Sequence, residues 1–306
     1  MRLLFVIIFL LGLFAVLFLN IEILAGETIE NKTNQMIETA NPPKFPSHMP
    51  PFIFPQLYRC TRKEQLQQPS ASQSREDVWL YENIFSSLPR EELFGGTFIE
   101  IGALDGRTYS NTLYFEKMWD WRGILIEGHP ANQPALRASQ AFRSNSAIFT
   151  TGICELQEGI VSELTFTKGG GAVGAALEHA NAKFLKDWHN GGEIGLKSYC
   201  IPLQDIIDAT GLFDIYLFSL DVEGAEFEVL KTLDLKVTNI YVIVVELDMG
   251  NPGKDQAVRE HLLKHGFEKT PGSIRDACVP GGDCTMNEVF INPHFHLRRS
   301  GKRRSC

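Results

Sequence analysis

The sequence predicts an α/β fold built on a mainly parallel sheet with helices on both faces. Almost continuously apolar strands alternate with segments of helical apolar spacing, a pattern typical of parallel sheets that are buried on both sides. Several of these strands run into glycine, which permits a tight turn from strand to helix. Residues 74–297 carry this pattern, and a segment of that length suits a single domain.

Strands and helices are expected to alternate throughout the globular part. Short apolar runs predict strands over residues 97–102, 123–127, 147–154, 213–222, 239–247 and 288–291. Apolar residues spaced three and four apart predict helices over residues 76–88, 110–118, 130–142, 224–233 and 256–265. The lid region 164–199 contains the glycine-rich segment 168–174, for which a mobile lid and a simple surface loop are both open interpretations.

Composition excludes several classes of protein. The hydrophobic fraction of 44% and the charged fraction of 22% are typical of a chain that buries a core, not of a disordered or collagen-like chain. The formal net charge is −8, from 29 Lys and Arg against 37 Asp and Glu. Because such a surface repels phosphate backbones, we expect no nucleic-acid partner.

The N-terminus carries a predicted membrane signal. Residues 3–19 contain no charged or strongly polar side chain, and a helix that spans a bilayer needs about 17–25 apolar residues. We predict a signal-anchor over residues 1–26 that makes the membrane a partner of the chain. A signal cleaved after Ala25 and a buried core helix are the alternatives.

The two leading interpretations place the remaining chain in the lumen of the secretory pathway. The protein would be a single-pass type II membrane protein of the Golgi or endoplasmic reticulum, or a secreted protein if the signal is cleaved. Asn31 lies in the only N-x-S/T triplet, just past the membrane segment. The proline-rich segment 27–73 predicts a stalk, and the basic tail 298–306 is expected to be solvated or to contact acidic glycans or lipid headgroups.

Six cysteines in an oxidising compartment permit disulfides. Cys278 and Cys284 flank a turn-rich segment and form the pair that we expect to be bonded, with buried free thiols as the alternative. No CxxC spacing indicates zinc, and we predict no metal.

The first predicted strand ends in a glycine turn with acidic residues, between Glu100 and Gly106. Ligands of open α/β sheets bind at the carboxyl ends of the strands. The turn lacks the lysine of a phosphate-binding loop and the full dinucleotide fingerprint, and its acids would repel phosphates. A cationic ligand such as S-adenosylmethionine fits better. The alternative is an ordinary turn whose acids cap a helix.

Two further strand ends carry acids. Glu127 ends the second strand, where a carboxylate can accept hydrogen bonds from ribose hydroxyls. Asp221 and Glu223 follow a later strand, and burial with mutual repulsion would raise the pKa of one of them, as suits a general base. Glu226 is expected to compensate a helix dipole.

Several segments resemble the FkbM-type methyltransferases and occur in that family's order. They are residues 98–130 (FIEIGALDGRTYSNTLYFEKMWDWRGILIEGHP), 201–203 (IPL), 218–234 (FSLDVEGAEFEVLKTLD), 244–246 (VVE) and 265–267 (HGF). The resemblance implies a Rossmann-like class I methyltransferase with a seven-stranded sheet that uses S-adenosylmethionine, usually for O-methylation. Two positions depart from the family: Glu100 stands where Asp is frequent, and Gly128 stands where Pro often follows the acid.

The resemblance also assigns roles by motif position. The cofactor would be bound by Glu100, Gly102, Ala103, Asp105, Gly106, Asn111 and Glu127. The methyl-transfer site would contain Asp221 and Glu223, and His129 is a candidate base that can equally be a simple turn residue.

The Ser110–Asn111–Thr112 motif resembles the eukaryotic branch of the family, which is itself similar to the insect Star-type proteins. Two functions follow from the resemblance. One is an O-methyltransferase of the secretory pathway that acts on glycan hydroxyls or another hydroxyl-bearing acceptor. The other is a non-catalytic membrane protein that binds secretory cargo and assists its trafficking. Acids at all three strand ends favour the enzyme, because a decayed site would have lost some of them.

Overall fold

The computed structural model describes residues 70–156, 162–191, 193–247, 251–271, 274 and 287–295. The predicted membrane segment, almost all of the stalk, the pair Cys278–Cys284 and the basic tail lie outside the described residues. Within the described part of the chain, no helix is both long enough and apolar enough to cross a membrane.

Helices and strands alternate along the described chain. The helices are α1 (Glu76–Asn83), α2 (Arg90–Leu93), α3 (Leu113–Trp119), α4 (Gln133–Ala138), α5 (Ala182–His189), α6 (Leu203–Thr210), α7 (Glu226–Lys231) and α8 (Pro252–Lys264), with a 3₁₀ turn at Phe85–Ser87. The strands are β1 (Thr97–Ile101), β2 (Arg122–Ile126), β3 (Ser146–Phe149), β4 (Gly152–Ile153), β5 (Ser162–Thr167), β6 (Ile194–Ile201), β7 (Asp214–Leu220), β8 (Asn239–Glu246), β9 (Glu268–Lys269) and β10 (Asn287–Ile291).

The main sheet has seven strands in the order β3-β2-β1-β7-β8-β10-β9. The first five are parallel, whereas β10 pairs antiparallel with both β8 and β9. The prediction of a mainly parallel, Rossmann-like seven-stranded sheet is therefore confirmed. The strand order reverses between β1 and β7, and a crevice forms at the carboxyl ends of the strands at such a point.

Both faces of this sheet are buried. Alternate residues of β1 point to opposite faces, so Ile99 belongs to one core and Phe98 to the other. Helix α8 contributes Leu262 to the first core, while α1 and α3 contribute Leu80 and Phe115 to the second. Near-continuous apolar strands are thus explained by helices on both sides.

Several helix boundaries differ from the prediction. Helix α8 begins four residues earlier than expected, because the side chain of Asn251 caps the Lys254 amide and Pro252 suits the first helical position. The long predicted helix 76–88 ends at Asn83 and continues as a separate 3₁₀ turn. Helix α4 covers only the middle of the predicted helix 130–142.

A second, three-stranded sheet with the order β4-β6-β5 was not predicted. The sequence indicated only a lid region over residues 164–199. Strands β5 and β6 pair antiparallel there, and the predicted strand 147–154 divides into β3 and β4, which belong to different sheets. Strand β6 is half exposed and contains Gly195 and Lys197, so it lacks the continuous apolar run that marks the core strands.

A disulfide joins Cys154 to Cys200 in this second sheet. The two cysteines are 46 residues apart in sequence, and spacing alone gave no reason to pair them. Cys154 follows β4, and its amide donates to the Ile201 carbonyl of β6. The disulfide therefore links two strands that are also joined by backbone hydrogen bonds.

Replacing both Cys154 and Cys200 by Ala should lower the free energy of unfolding by about 2–4 kcal/mol, because the unfolded chain regains the freedom of the closed loop. Urea denaturation of the full-length chain measures this difference. As a control, peptide mapping without reductant should recover residues 154 and 200 in one linked fragment. Recovery of both as free thiols would contradict the pairing.

Candidate active site

The carboxyl ends of β1 and β7 approach each other closely at Gly102. Its φ is +86°, and a Cβ there would lie 1.8 Å from the backbone oxygen of Asp221. The Asp221 amide in turn donates to the carbonyl of Ile101 at 3.2 Å. Only glycine fits this contact, which brings the first and third acidic strand ends into one crevice.

The glycine turn is held against the end of β2. The amides of Gly102 and Ala103 donate to the Ile126 carbonyl at 3.1 and 3.0 Å, and the Leu104 amide donates to Glu127 Oε2 at 2.8 Å. Gly102 remains exposed and Ala103 is buried. An exposed backbone glycine at the switch point allows close approach by a ligand.

Asp105 and Gly106 complete the turn. The carboxylate of Asp105 accepts from the amides of Arg107 and Thr108, and these bonds lower its pKa although partial burial opposes the shift. A Cβ at Gly106 would lie 2.7 Å from Ser139 Oγ. Both residues shape the turn, and their direct contact with a cofactor stays a prediction.

Glu127 lies at the second strand end with its carboxylate buried. Oε1 accepts from the His129 amide at 2.7 Å and Oε2 from the Leu104 amide, and Asn132 adds a side-chain hydrogen bond. Burial outweighs these bonds and raises the pKa of Glu127 to about 7. A carboxylate offers about four acceptor sites, so capacity remains for ribose hydroxyls.

The carboxylate of Glu100 accepts hydrogen bonds from neighbouring residues of the chain. It accepts from Ser110 Oγ at 2.8 Å, Thr112 Oγ1 at 2.5 Å and the Asn111 amide at 2.9 Å. Burial raises the pKa of Glu100, although nearby Arg143 and these bonds oppose the shift. The geometry gives Glu100 the task of holding the segment before α3, and direct contact with the cofactor is not required of it.

Asn111 presents an unusual acceptor. Its Nδ2 donates to Ser219 Oγ at 3.0 Å, whereas Oδ1 is buried and has no hydrogen-bond partner among the described residues. A buried unpaired acceptor costs about 1–3 kcal/mol. A bound ligand with an N–H or O–H donor would satisfy it, in agreement with the predicted role of Asn111 in cofactor binding.

Three carboxylates cluster at the ends of β7 and β8. Oxygen atoms of Asp221, Glu223 and Glu246 all lie within 4.8 Å of one another. Burial, followed by the charge of Glu246 and a hydrogen bond to it, raises the pKa of Asp221 well above its ordinary value. Glu246 was noted only as part of a family landmark and was not predicted as a site residue. Its register on β8 opposite the end of β7 brings it here.

Glu226 supports this cluster from within. Its Oε1 accepts from the amides of Val222 and Gly224 at 3.2 and 3.0 Å, and burial raises its pKa to about 7. The turn that it holds contains two consecutive residues with positive φ, Glu223 at 54° and Gly224 at 102°. Glu226 thus has a structural task, as the sequence indicated.

The carboxylate cluster offers oxygen ligands of the kind that Mg²⁺ or Ca²⁺ prefers. The sequence predicted no metal, and the three acids come from two strand ends that are distant in the chain. Acidic groups meet in this way in many proteins without an ion, and the cluster by itself does not define a metal centre.

His129 is engaged at both ring nitrogens. Nε2 lies 3.0 Å from the carbonyl oxygen of Thr167, and Nδ1 accepts from the Ala131 amide at 3.2 Å. Burial lowers the pKa of His129. A neutral ring with Nε2 protonated and Nδ1 occupied has no lone pair for an acceptor proton. The structure therefore argues against His129 as the base and assigns it to the turn after Glu127.

The second sheet packs on that same turn. A Cβ at Gly128 would lie 2.8 Å from Phe166 Cζ of β5, which explains why Pro is absent at this position. The side chain of Asn132 bonds both the amide and the carbonyl of Gly171, at 2.8 and 3.1 Å. The glycine-rich segment is thus attached beside Glu127.

Lys254 joins the two loops that flank the carboxylate cluster. Its Nζ donates to the carbonyl of His179 at 2.6 Å and to that of Gly224 at 3.0 Å. Since Lys254 lies on α8, far from either loop in sequence, nothing in the local pattern indicated this link. Lys254 therefore fixes the loop that contains His179 against the turn that follows β7.

Fold and crevice together define a class of protein: a Rossmann-like enzyme fold with a glycine turn, a buried acid after β2 and an acidic cluster after β7. Residues 100–269, more than half of the chain, match the sequence model of the Methyltransferase FkbM domain. The chain belongs to this family, which uses S-adenosylmethionine. The glycine turn, Glu127 and the unpaired acceptor of Asn111 fit that cofactor.

Solved structures resemble the chain only at low identity. A methyltransferase FkbM from Methylobacillus flagellatus is 15% identical over 70% of this chain and 50% of that one, with a TM-score of 0.41. An O-methyltransferase from Bacillus cereus, solved in complex with SAH, is 10% identical over 75% and 84%, with a TM-score of 0.38. Fibrillarin from Aeropyrum pernix, with natively bound S-adenosyl-L-methionine, is 11% identical over 70% and 73%, with a TM-score of 0.36. This chain spans half the length of the M. flagellatus protein. No curated protein matches the sequence.

The raised pKa of Glu127 should make cofactor binding depend on pH. Ribose hydroxyls favour the ionised carboxylate, so binding lowers a pKa that is about 7 in the free protein and releases a proton. The affinity for S-adenosylmethionine should rise about tenfold between about pH 6 and pH 8 and level off above, as calorimetry in full-length protein can show.

In Glu127→Gln the affinity should be lower and this part of the pH dependence should disappear. Glu226→Gln is the matched control, because Glu226 has a similar pKa but binds backbone amides of its own turn. Equal flattening in both variants would refute the ribose assignment.

Proposed function

We propose that this chain is a membrane-anchored, S-adenosylmethionine-dependent O-methyltransferase of the secretory pathway that acts on sugar hydroxyls of glycans. The observation that carries the proposal is the contact at Gly102, which places the backbone of Asp221, at the end of β7, against the glycine turn. Family membership supports methyl transfer from the sulfonium cofactor. The acceptor class rests on the lumenal compartment, where glycan hydroxyls are abundant.

Asp221 is the residue that we propose as general base. A hydroxyl is a poor nucleophile, and removal of its proton during attack accelerates the reaction. When bound, S-adenosylmethionine supplies an electrophilic methyl group. Asp221 takes the proton of the acceptor hydroxyl while the new carbon–oxygen bond forms and the carbon–sulfur bond breaks.

Glu246 supports Asp221 in this proposal. The charge of Glu246 and a hydrogen bond between the two carboxyl groups add to the burial that raises the pKa of Asp221. A raised pKa suits a general base, and the acidic cluster attracts a cationic cofactor. Glu223 belongs to the same cluster and adds negative charge.

Two observations support the proposed lumenal location. The apolar run over residues 3–19 is long enough for a signal-anchor. The bond between Cys154 and Cys200 is of the kind that persists in oxidising compartments. A non-catalytic cargo-binding protein of the Star type remains the alternative, and it would keep the fold without transferring a methyl group.

Replacing Asp221 by Asn should remove the base while keeping the size of the side chain. Transfer of labelled methyl groups to glycans released from secretory glycoproteins should fall about 100-fold or more, since general-base catalysis contributes roughly 10²–10⁴. The dissociation constant for S-adenosylmethionine should change far less. Asp208→Asn, on the exposed surface of α6, is the matched control.

Full methyl transfer by Asp221→Asn would remove Asp221 as the base. Cofactor binding by the wild type without transfer to any glycan fraction would instead favour the non-catalytic alternative.

The topology is tested in microsomes. The globular domain of the full-length chain should resist added protease until detergent opens the membrane, and Asn31→Gln should abolish a glycan-dependent shift in mobility. Digestion of the domain in intact microsomes would contradict the lumenal location.

A further inference from the structure

We infer that Arg143 is the positioning residue for segment 106–112, which follows from the glycine turn and contains Asn111, a role that rests on the cofactor use proposed above. Arg143 lies between α4 and β3 and is completely buried. A buried guanidinium is tolerated only where charges and hydrogen bonds compensate for lost solvation. Its surroundings therefore show what it is built to hold.

The guanidinium donates in two directions. Towards segment 106–112, Nη1 donates to the Gly106 carbonyl at 2.7 Å and to Ser110 Oγ at 3.0 Å, and Nη2 donates to Thr112 Oγ1 at 2.8 Å. Towards the body of the domain, Nε donates to Glu116 Oε2 of α3 at 2.7 Å. One rigid fork thus connects both ends of segment 106–112 to a fixed helix.

Glu100 completes this connection from the opposite side. The hydroxyls of Ser110 and Thr112 each donate to Glu100 and accept from Arg143. Each hydroxyl therefore serves as donor and as acceptor at once. Nη1 of Arg143 lies 3.8 Å from Glu100 Oε2. The segment is therefore held between a carboxylate of β1 and a guanidinium next to β3.

The position of Asn111 follows from this arrangement. Its amide donates to Glu100, and its neighbours on both sides carry the hydroxyls that Arg143 binds. The segment has no regular structure of its own, and Tyr109 has a positive φ of 59°. Arg143 holds the hydroxyls on both sides of Asn111 and Ser219 holds its Nδ2, and together these bonds set the position of the unpaired Oδ1.

Arg143 acts through other residues, since it is buried and bonded to the chain. Its loss should weaken cofactor binding much more than it slows methyl transfer from the bound complex. A role limited to stability would instead lower the melting temperature without changing the affinity of the folded protein.

Two hydroxyl deletions in the same network separate these roles. Thr112→Val removes the hydroxyl that accepts from Arg143 and donates to Glu100, on the side of segment 106–112. Ser146→Ala removes the bond from Ser146 Oγ to Glu116 Oε2, on the side of the domain body. Both hydroxyls are buried, so Ser146→Ala is the control for the loss of a buried hydroxyl from this network. Arg143→Lys keeps the charge and removes the fork.

The measurement is calorimetry of full-length protein with S-adenosylhomocysteine, at a temperature where circular dichroism shows each variant folded. Thr112→Val and Arg143→Lys should bind at least about tenfold more weakly than the wild type, while Ser146→Ala stays within about threefold. If Arg143→Lys fails to fold, Thr112→Val carries the test.

Unchanged affinity in Thr112→Val, or an equal loss in Ser146→Ala, would overturn the positioning role while leaving the proposed function intact. Failure of the wild type to bind S-adenosylhomocysteine would instead overturn the cofactor use on which both proposals depend.

Discussion

The close approach of two backbones at Gly102 is the constraint on which the site depends. Strand β1 pairs with β2 on one side and with β7 on the other, so its end is the point where the strand order reverses. Because Gly102 has no side chain, the carbonyl of Asp221 can lie against it. This contact places the glycine turn and the acidic cluster in one crevice. Any larger residue would force the two strand ends apart and separate binding from chemistry.

Buried carboxylates are costly, and this domain contains several around the crevice. Their hydrogen-bond partners differ, and these partners indicate the role of each carboxylate. Glu226 and Glu127 accept backbone amides and hold turns, whereas Glu100 is compensated by hydroxyls and by Arg143. Asp221 lies in a cluster with Glu223 and Glu246, and burial together with the charge of Glu246 raises its pKa. The acid at the predicted methyl-transfer site is thus surrounded by further acids rather than by cations.

The second sheet covers the turn that follows β2. Phe166 packs on Gly128, Asn132 binds the glycine-rich segment, and His129 bonds to the end of β5. These contacts explain both the departure from proline after the acid and the loss of His129 as a base. A turn that would otherwise face solvent is covered, which also accounts for the burial and the raised pKa of Glu127.

The sequence by itself determined the alternation of elements, the core strands, the acids at their ends and the family, because each of these is written in short, contiguous patterns. The sheet order then placed Glu100, Glu127 and Asp221 near one crevice, as expected for strand ends in an open sheet. Only the tertiary structure decided which acids accept hydrogen bonds from their own turns and which cluster at the ends of β7 and β8. It also decided the second sheet, the Cys154–Cys200 bond and the roles of Glu246 and Arg143. These depend on contacts between residues distant in sequence, and local spacing carries no record of such contacts.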